Sequence, residues 1–501
     1  MKPFLRYLPL VLGLFLLCFA WLPTDVTAPN ERSRIYLAVS LVDHQTLSID
    51  DAIERFGPVF DRAQRDGRTF TDKAPGSSLL AAAVYGVSRL LVGGDEWSIA
   101  ALLLLMRFGL MIPLTVAGLF LLRRILRDLG LDPPVVEFAS LAWLVATPVL
   151  HYGQAFYGHQ IVAVALLGAV ACLLRTERTP VHLAIAGACA GVAGLTEYQA
   201  AIPCVLLALW VLTGPSRKRP LNLLAFFAAA APFVAVLLAY HNAAFGGPFE
   251  LSYHHLVDPD LDAEHTEGIG GVVAPSREAL FGASISLHRG LLTTAPIMLL
   301  ALAGIKPMIR RIGRHGAGFI GAIIAFFCVF IISSNHWYAG WSYGPRLLVP
   351  MLAVATIPLA FGLQWARESA KWTGLAVAGF MIGLGSNLAM KLTFFEVPPS
   401  STNPLIDIAL PALATRMTSP SLATSIGLSP ALSLAIAAMA ALALALLVTW
   451  RYVQPSHRIA PNIAVGISVL FFAFIYVVGP SWDDAQGERF WSFGERVMVL
   501  E

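Results

Sequence analysis

Apolar stretches of roughly eighteen to twenty-five residues recur along the whole chain, each long enough to cross a hydrocarbon core of about 30 Å as a helix. Inside lipid every backbone N–H and C=O must be satisfied internally, so such stretches become helices. The pattern predicts an all-α polytopic membrane protein. Composition agrees, with 57% hydrophobic and 13% charged residues, where a soluble chain carries charge at about a quarter of its positions. Cys18, Cys172, Cys189, Cys204 and Cys328 all fall inside apolar runs, which argues against disulfide or zinc-thiolate chemistry. The net charge of +3 carries no sign of nucleic-acid binding, because its meaning depends on which side of the membrane each charge lies.

The first run, 4–23, follows Lys2 and Arg6 and could be read as a signal peptide. Pro29 after the apparent cleavage site Val26-Thr27-Ala28 favours a retained helix. Further spans are expected near 98–122, 133–150, 158–174, 181–198, 199–213, 221–241, 289–305, 316–333, 345–364, 372–391, 429–450 and 461–478, about 13 in all. The segment 77–93 is apolar but short and holds Arg89, and reads as a helix along the membrane surface. With the N-terminus cytoplasmic, the inner segments hold 18 of the 34 Lys and Arg residues and only 5 of the 31 Asp and Glu. That asymmetry obeys the positive-inside rule and places loops 24–97, 242–288, 333–345 and 392–428 and the tail 480–501 outside. No Walker-type phosphate loop or Rossmann glycine fingerprint is present, so ATP-driven transport and cytoplasmic nucleotide-sugar chemistry lose support.

Polar residues gather at four places on the outer side. The first is Asp25 and then Asn30-Glu31-Arg32-Ser33-Arg34, after helix one. A carboxylate fixed there can act as a general base, or Glu31 can simply favour a helix N-terminus. The second runs from Gly67 to Gly76 and holds Asp72-Lys73-Ala74-Pro75, whose lysine suits a phosphate or snorkels to the headgroups. The third is His151 to Gln160, where His159 could meet a metal or a phosphate, together with Glu197 near the outer end of another span. The fourth runs from Asn335 to Arg346, with His336, Trp337 and Trp341. It reads either as an aromatic belt or as a lead-in to Arg346, which Gly344-Pro345 set up to grip a phosphate.

The order of these elements resembles the GT-C superfamily of membrane glycosyltransferases that use polyprenyl-phosphate sugars. The branch is that of the protein O-mannosyltransferases and the lipid A aminoarabinose transferase. Asn30-Glu31 looks like the acidic pair of that family, Asp72-Lys73-Ala74-Pro75 like its Lys-Pro-Pro turn, and Met106-Arg107 like its helix-opening arginine. Tyr343-Gly344-Pro345-Arg346 looks like a later His-Pro-Arg-Tyr motif. Three departures mark a distinct subfamily: Asn30 replaces the first acid, His159 stands where an Asp is common, and Glu197 replaces a lysine.

The resemblance implies a catalytic membrane module over 1–350, including loop 24–97, followed by C-terminal helices over 351–501 with loop 392–428 and tail 480–501. It implies a hexosyl or pentosyl transferase in the inner membrane, active on the extracytoplasmic side. The donor would be a sugar on a polyprenyl phosphate and the acceptor a glycan, lipid or protein. Glu31 or Asp25 would be the base, and Lys73, Arg346 and Arg289 would bind the donor phosphate. Asn30, Asp72, His159, Glu197, His336, Trp337 and Trp341 would line the pocket, and a divalent metal ion could sit at Glu31 and His159. Two rival readings are a lipid or sugar-lipid flippase and a catalytically inactive scaffold of the same fold. The first predicts inverted repeats and midplane helix breaks, which the sequence does not display. Asn30 in place of an acid keeps the second open.

Overall fold

The computed structural model describes residues 3–22, 27–93, 97–214 and 220–499. Asp25 lies outside the described residues. Among the described residues the regular elements are helices apart from one two-stranded hairpin, Ala63–Arg65 with Arg68–Phe70. Asp66 and Gly67 at its turn have φ 50° and 73°, which fits the twist of a tight antiparallel hairpin. The strand Arg68–Phe70 leads directly into Thr71-Asp72-Lys73.

Among the described residues seven helices are long and apolar enough to cross a membrane: Ile99–Asp128, Pro220–Phe245, Pro296–Ile332, Arg346–Ala366, Ala370–Leu392, Pro430–Tyr452 and Ala460–Val478. The chain is an integral membrane protein. Five of the thirteen expected spans fall on shorter apolar helices, among them Pro133–Val145 and Gly158–Leu173. Their apolar runs are interrupted by turns such as Ala146–Pro148, where helical bonding stops. The helix Gly76–Val92 buries its N-terminal half through Ser77, Ser78, Ala81 and Tyr85 and exposes Leu90, Leu91 and Val92.

The spans expected at 289–305 and 316–333 share one continuous helical stretch, broken at Gly313 with φ 80° and ψ 160°. A straight helix would separate residues 304 and 328 by about 36 Å. Yet a Cβ on Gly304 would stand 1.8 Å from the Pro358 carbonyl oxygen, and Cys328 Sγ lies 3.9 Å from Met351 Sδ. Met351 and Pro358 are only about 10 Å apart along their own helix. The chain therefore doubles back at Gly313, and both arms pack on the helix Val349–Ala366. That turn is basic, and Arg311 donates to the Leu129 carbonyl at 2.8 Å.

The helices Arg346–Ala366 and Ala370–Leu392 are central, with 89% and 78% of their apolar windows buried, against 11% for Pro220–Phe245 and Ala460–Val478. Bonds cross residue 350 in both directions. Lys391, fully buried in the last turn of its helix, donates to the carbonyls of Leu16 at 3.3 Å, Leu17 at 2.5 Å and Leu150 at 2.8 Å. A buried ammonium without a carboxylate needs such acceptors. Here it ties the end of helix one to Leu150, just before the segment His151–Gln160.

Candidate functional site

The chain leaves helix Pro3–Phe19 through Trp21, which has φ 67°, a costly value for a bulky residue. Its carbonyl accepts from Arg107 Nη1 and from Gln154 Nε2 at 3.2 Å. Helix Pro29–Val39 then starts with a proline in its first turn. Its first two turns carry Asn30, Glu31 and Arg34 inward, all buried.

Glu31 is 1% exposed and both its oxygens are engaged. Oε1 accepts from the Phe156 backbone N–H at 2.7 Å and from Arg107 Nη2 at 3.2 Å, and Oε2 from the same nitrogen at 3.2 Å. Arg107 opens a π-helical turn, Arg107–Met111, inside a long apolar helix, and is itself fully buried. Such a one-turn widening re-aims a side chain.

Arg34 lies one turn further on. It donates to Asn30 Oδ1 at 2.9 Å and to Ser77 Oγ, and pairs with Glu197 Oε1 at 2.7 Å. Two glycines make room for Glu197. A Cβ on Gly158 would sit 2.1 Å from Glu197 Oε1, and one on Gly76 would sit 2.7 Å from the Leu195 carbonyl. His159 Nδ1 lies 3.8 Å from the same Oε1 and bonds Gln199 at 3.1 Å. Breaking a buried ion pair from one side strands the other charge at about 3–5 kcal/mol. Glu197→Ala should therefore lower stability by about that amount in thermal or denaturant unfolding of detergent-solubilised protein, whereas a loss under 1 kcal/mol would mean that water reaches Arg34.

Lys73 sits between two carboxylates, Asp61 Oδ2 at 2.9 Å and Asp72 Oδ2 at 2.6 Å. The Asp66-Gly67 hairpin brings Asp61 back to it. Burial, with Asp61 adding to it and Lys73 opposing it, pushes the Asp72 carboxyl up to about 6. The sequence expectation left Lys73 free for a phosphate. Its charge is instead already compensated.

Arg289 and Arg346 differ from Arg34, Arg107 and Lys73, each of which has a carboxylate partner. Arg289 is 2% exposed, and its donors go to neutral groups: Ser342 Oγ at 2.7 Å, the Gly340 carbonyl at 2.6 Å and the Val397 carbonyl at 3.5 Å. Arg346 lies over the Tyr157 ring at 5.1 Å. The Nε of each is buried without a partner. No carboxylate of the described residues forms an ion pair with either. Tyr152 stands beside both, and burial pushes its phenol up to about 12, so it remains a neutral hydroxyl.

Glu396 completes the cluster. It follows helix Ala370–Leu392, is 7% exposed, and accepts from Thr27 Oγ1 at 2.7 Å through Oε2. Burial, with the nearby Glu31 carboxylate, pushes its carboxyl up to about 7, against the pull of Arg107 and Arg346.

The segment Asn335–Arg346 divides. His336 and Tyr338 both bond Glu264 of the preceding loop, and Trp337 packs on Gly282. Trp341 is exposed and meets Phe493 of the C-terminal helix at 5.9 Å. Only the end of the segment, from Gly340 onward, joins Arg289. Among the described residues no group of three or more His, Cys, Asp or Glu is placed to hold a metal ion. Both oxygens of Glu31 are occupied by N–H donors, which runs against the metal expected there and at His159. Sequence reasoning passed over Glu396 and Asp61, held Tyr152 and Tyr157 only as members of the His151–Gln160 stretch, and saw Arg107 only as a helix opening. An acid directly after a span, as at Glu396, was the available signal.

No protein-family model matches the chain, and no curated protein matches it. Among solved structures it is similar to ArnT from Cupriavidus metallidurans bound to undecaprenyl phosphate, at 16% identity and TM-score 0.48, over 95% of this chain and 77% of that one. It is also similar to the oligosaccharyltransferase AglB from Archaeoglobus fulgidus in complex with an inhibitory peptide and a dolichol-phosphate, at 12% identity and TM-score 0.48, over 79% and 56%. A third is the arabinosyltransferase EmbB from Mycobacterium smegmatis, at 14% identity and TM-score 0.46, over 95% and 41%.

Proposed function

We propose that the chain is a GT-C-type membrane glycosyltransferase that moves a sugar from a polyprenyl-phosphate carrier to an acceptor on the extracytoplasmic side. One observation carries the reading: Arg289 and Arg346 are partly buried cations with no carboxylate partner among the described residues, beside the neutral phenol of Tyr152. Desolvated guanidinium groups call for an anionic ligand, and their planar forks match phosphate oxygens. Arg289 lies just before the apolar helix Pro296–Ile332 and Arg346 opens the helix Arg346–Ala366, where a carrier's tail can stay in hydrocarbon while its phosphate reaches these residues.

In this reading the acceptor attacks the anomeric carbon and the sugar–phosphate bond breaks. Arg346 and Arg289 stabilise the charge that grows on the leaving phosphate, a term that is large where water is excluded. Lys73 with Asp61 and Asp72, and Arg34 with Glu197, form the ionic wall behind the site, with Asn30 and His159 set into it. Glu31 is a positioning residue that fixes Arg107 and the Phe156 backbone. The module over 1–350 works together with residues from Lys391 to Val397.

The test is carrier binding by purified protein in nanodiscs. Polyprenyl phosphate should bind at least about tenfold more tightly than the matching polyprenol, roughly 1.4 kcal/mol. Equal binding of the two would remove the phosphate site and leave a general lipid surface.

A further inference from the structure

Within that glycosyltransferase reading, we propose that Glu396 is the catalytic residue that takes the proton from the acceptor's hydroxyl. The residue is held rigidly from both sides. Phe394 packs edge-on against Trp21 at 5.6 Å, and Phe395 stacks on His151 at 3.7 Å and meets Tyr152 and Tyr343 at 5.6 and 5.5 Å. On the other side the Val397 carbonyl accepts from the Ser342 backbone N–H at 2.9 Å and from Arg289. The carboxylate therefore stands where the exit of helix one, the Gly340–Arg346 segment and the segment after Leu392 converge.

Its two oxygens differ. Oε2 accepts from Thr27 Oγ1, while Oε1 takes no hydrogen bond from a described residue and is not among the sealed, unpartnered atoms. An acceptor hydroxyl can therefore reach it. Glu31 offers no such oxygen, because Arg107 and the Phe156 N–H occupy both. The charged groups facing Glu396 are Glu31 from helix Pro29–Val39, Arg107 from the π-helical turn and Arg346 from the opposite loop, with the phenols of Tyr152 and Tyr157 beside them. Burial and Glu31 together give Glu396 a proton affinity matched to neutral pH, which is where a general base works best.

The step balances as a single displacement. The acceptor oxygen bonds to the anomeric carbon, the bond from that carbon to the phosphate oxygen breaks, and its electron pair leaves with the polyprenyl phosphate. The acceptor's proton passes to Glu396 Oε1. Arg346 and Arg289 hold the leaving phosphate.

The test uses full-length protein in nanodiscs. The donor is the lipid-linked sugar fraction of cells lacking the protein, and the acceptor is the envelope fraction of the same cells. The base must be deprotonated to act, so wild-type kcat should rise with pH through a midpoint near 7 and then level off. Glu396→Gln should lower kcat by about 10²–10⁴-fold and abolish that rise, with polyprenyl phosphate binding within threefold of wild type. Glu396→Asp, which keeps the carboxylate, should keep the rise at a reduced kcat. A Glu396→Gln protein that keeps the rise, or keeps kcat within about threefold, overturns the assignment. So does a Glu396→Asp protein that folds, binds polyprenyl phosphate and has lost the rise. Wild-type protein that neither binds polyprenyl phosphate nor transfers sugar overturns the underlying glycosyltransferase reading, and this assignment with it.

Discussion

Arg346→Lys should lower turnover, carrier binding or both at least about tenfold, in protein that folds and inserts normally. The substitution preserves charge and reach, so a residue that merely anchored its helix among headgroups would tolerate it. A phosphate clamp would not, because an ammonium cannot reproduce the planar fork of a guanidinium or its stacking on the Tyr157 ring. Arg289→Lys should have a similar effect, and the double variant should lose less than the sum, because both residues act on one phosphate. Lys73→Ala behaves differently in this account. It leaves Asp61 and Asp72 facing each other without their shared cation, so its main consequence is lower stability. If Lys73→Ala weakens carrier binding as strongly as Arg346→Lys while stability is unchanged, the phosphate lies nearer the hairpin than proposed.

Glu31→Gln should destabilise the fold by about 3–5 kcal/mol. Arg107 is fully buried, and Glu31 is its carboxylate partner at 3.2 Å. The amide keeps the shape of the acid but leaves a desolvated guanidinium without a counter-charge. A second substitution, Arg107→Met, removes the stranded charge, so the double variant should recover a large part of the loss. The cycle is read by unfolding of all four proteins in the same detergent. Additive losses would mean that the two side chains do not depend on each other. In that case the activity of Glu31→Gln would have to be explained by direct chemistry at Glu31.

The membrane class was legible because hydrophobic run length is a local property, and so was the gathering of polar residues between the apolar runs. Arg346 and Glu31 were singled out for the same reason: each stands at a boundary where a charge is expensive. What could not be read was pairing. Lys73 looked free because Asp61 reaches it only through the hairpin at Asp66-Gly67. Arg107 is one turn of π-helix, a distortion that leaves no mark in hydropathy. Glu396 escaped notice because it ends an ordinary span and meets Thr27 from the far end of the chain. Five of the expected spans form helices of 13 to 17 residues, as where the run at Pro133 stops at Val145. The reversal at Gly313, by contrast, sits in the basic cluster where two spans were expected to meet.

The central claim is that sugar leaves a polyprenyl phosphate at this protein. Mass spectrometry of lipid-linked sugars and envelope glycans, comparing cells that lack the protein with cells that have it restored, tests this most directly. The account predicts that one polyprenyl-phosphate sugar accumulates on the extracytoplasmic side while one envelope acceptor loses the same sugar. Restoration with wild type, but not with the Arg346→Lys variant, should reverse both changes. Unchanged lipid-linked sugars and unchanged envelope glycans would contradict the account, and accumulation confined to the cytoplasmic leaflet would assign the protein to lipid translocation instead.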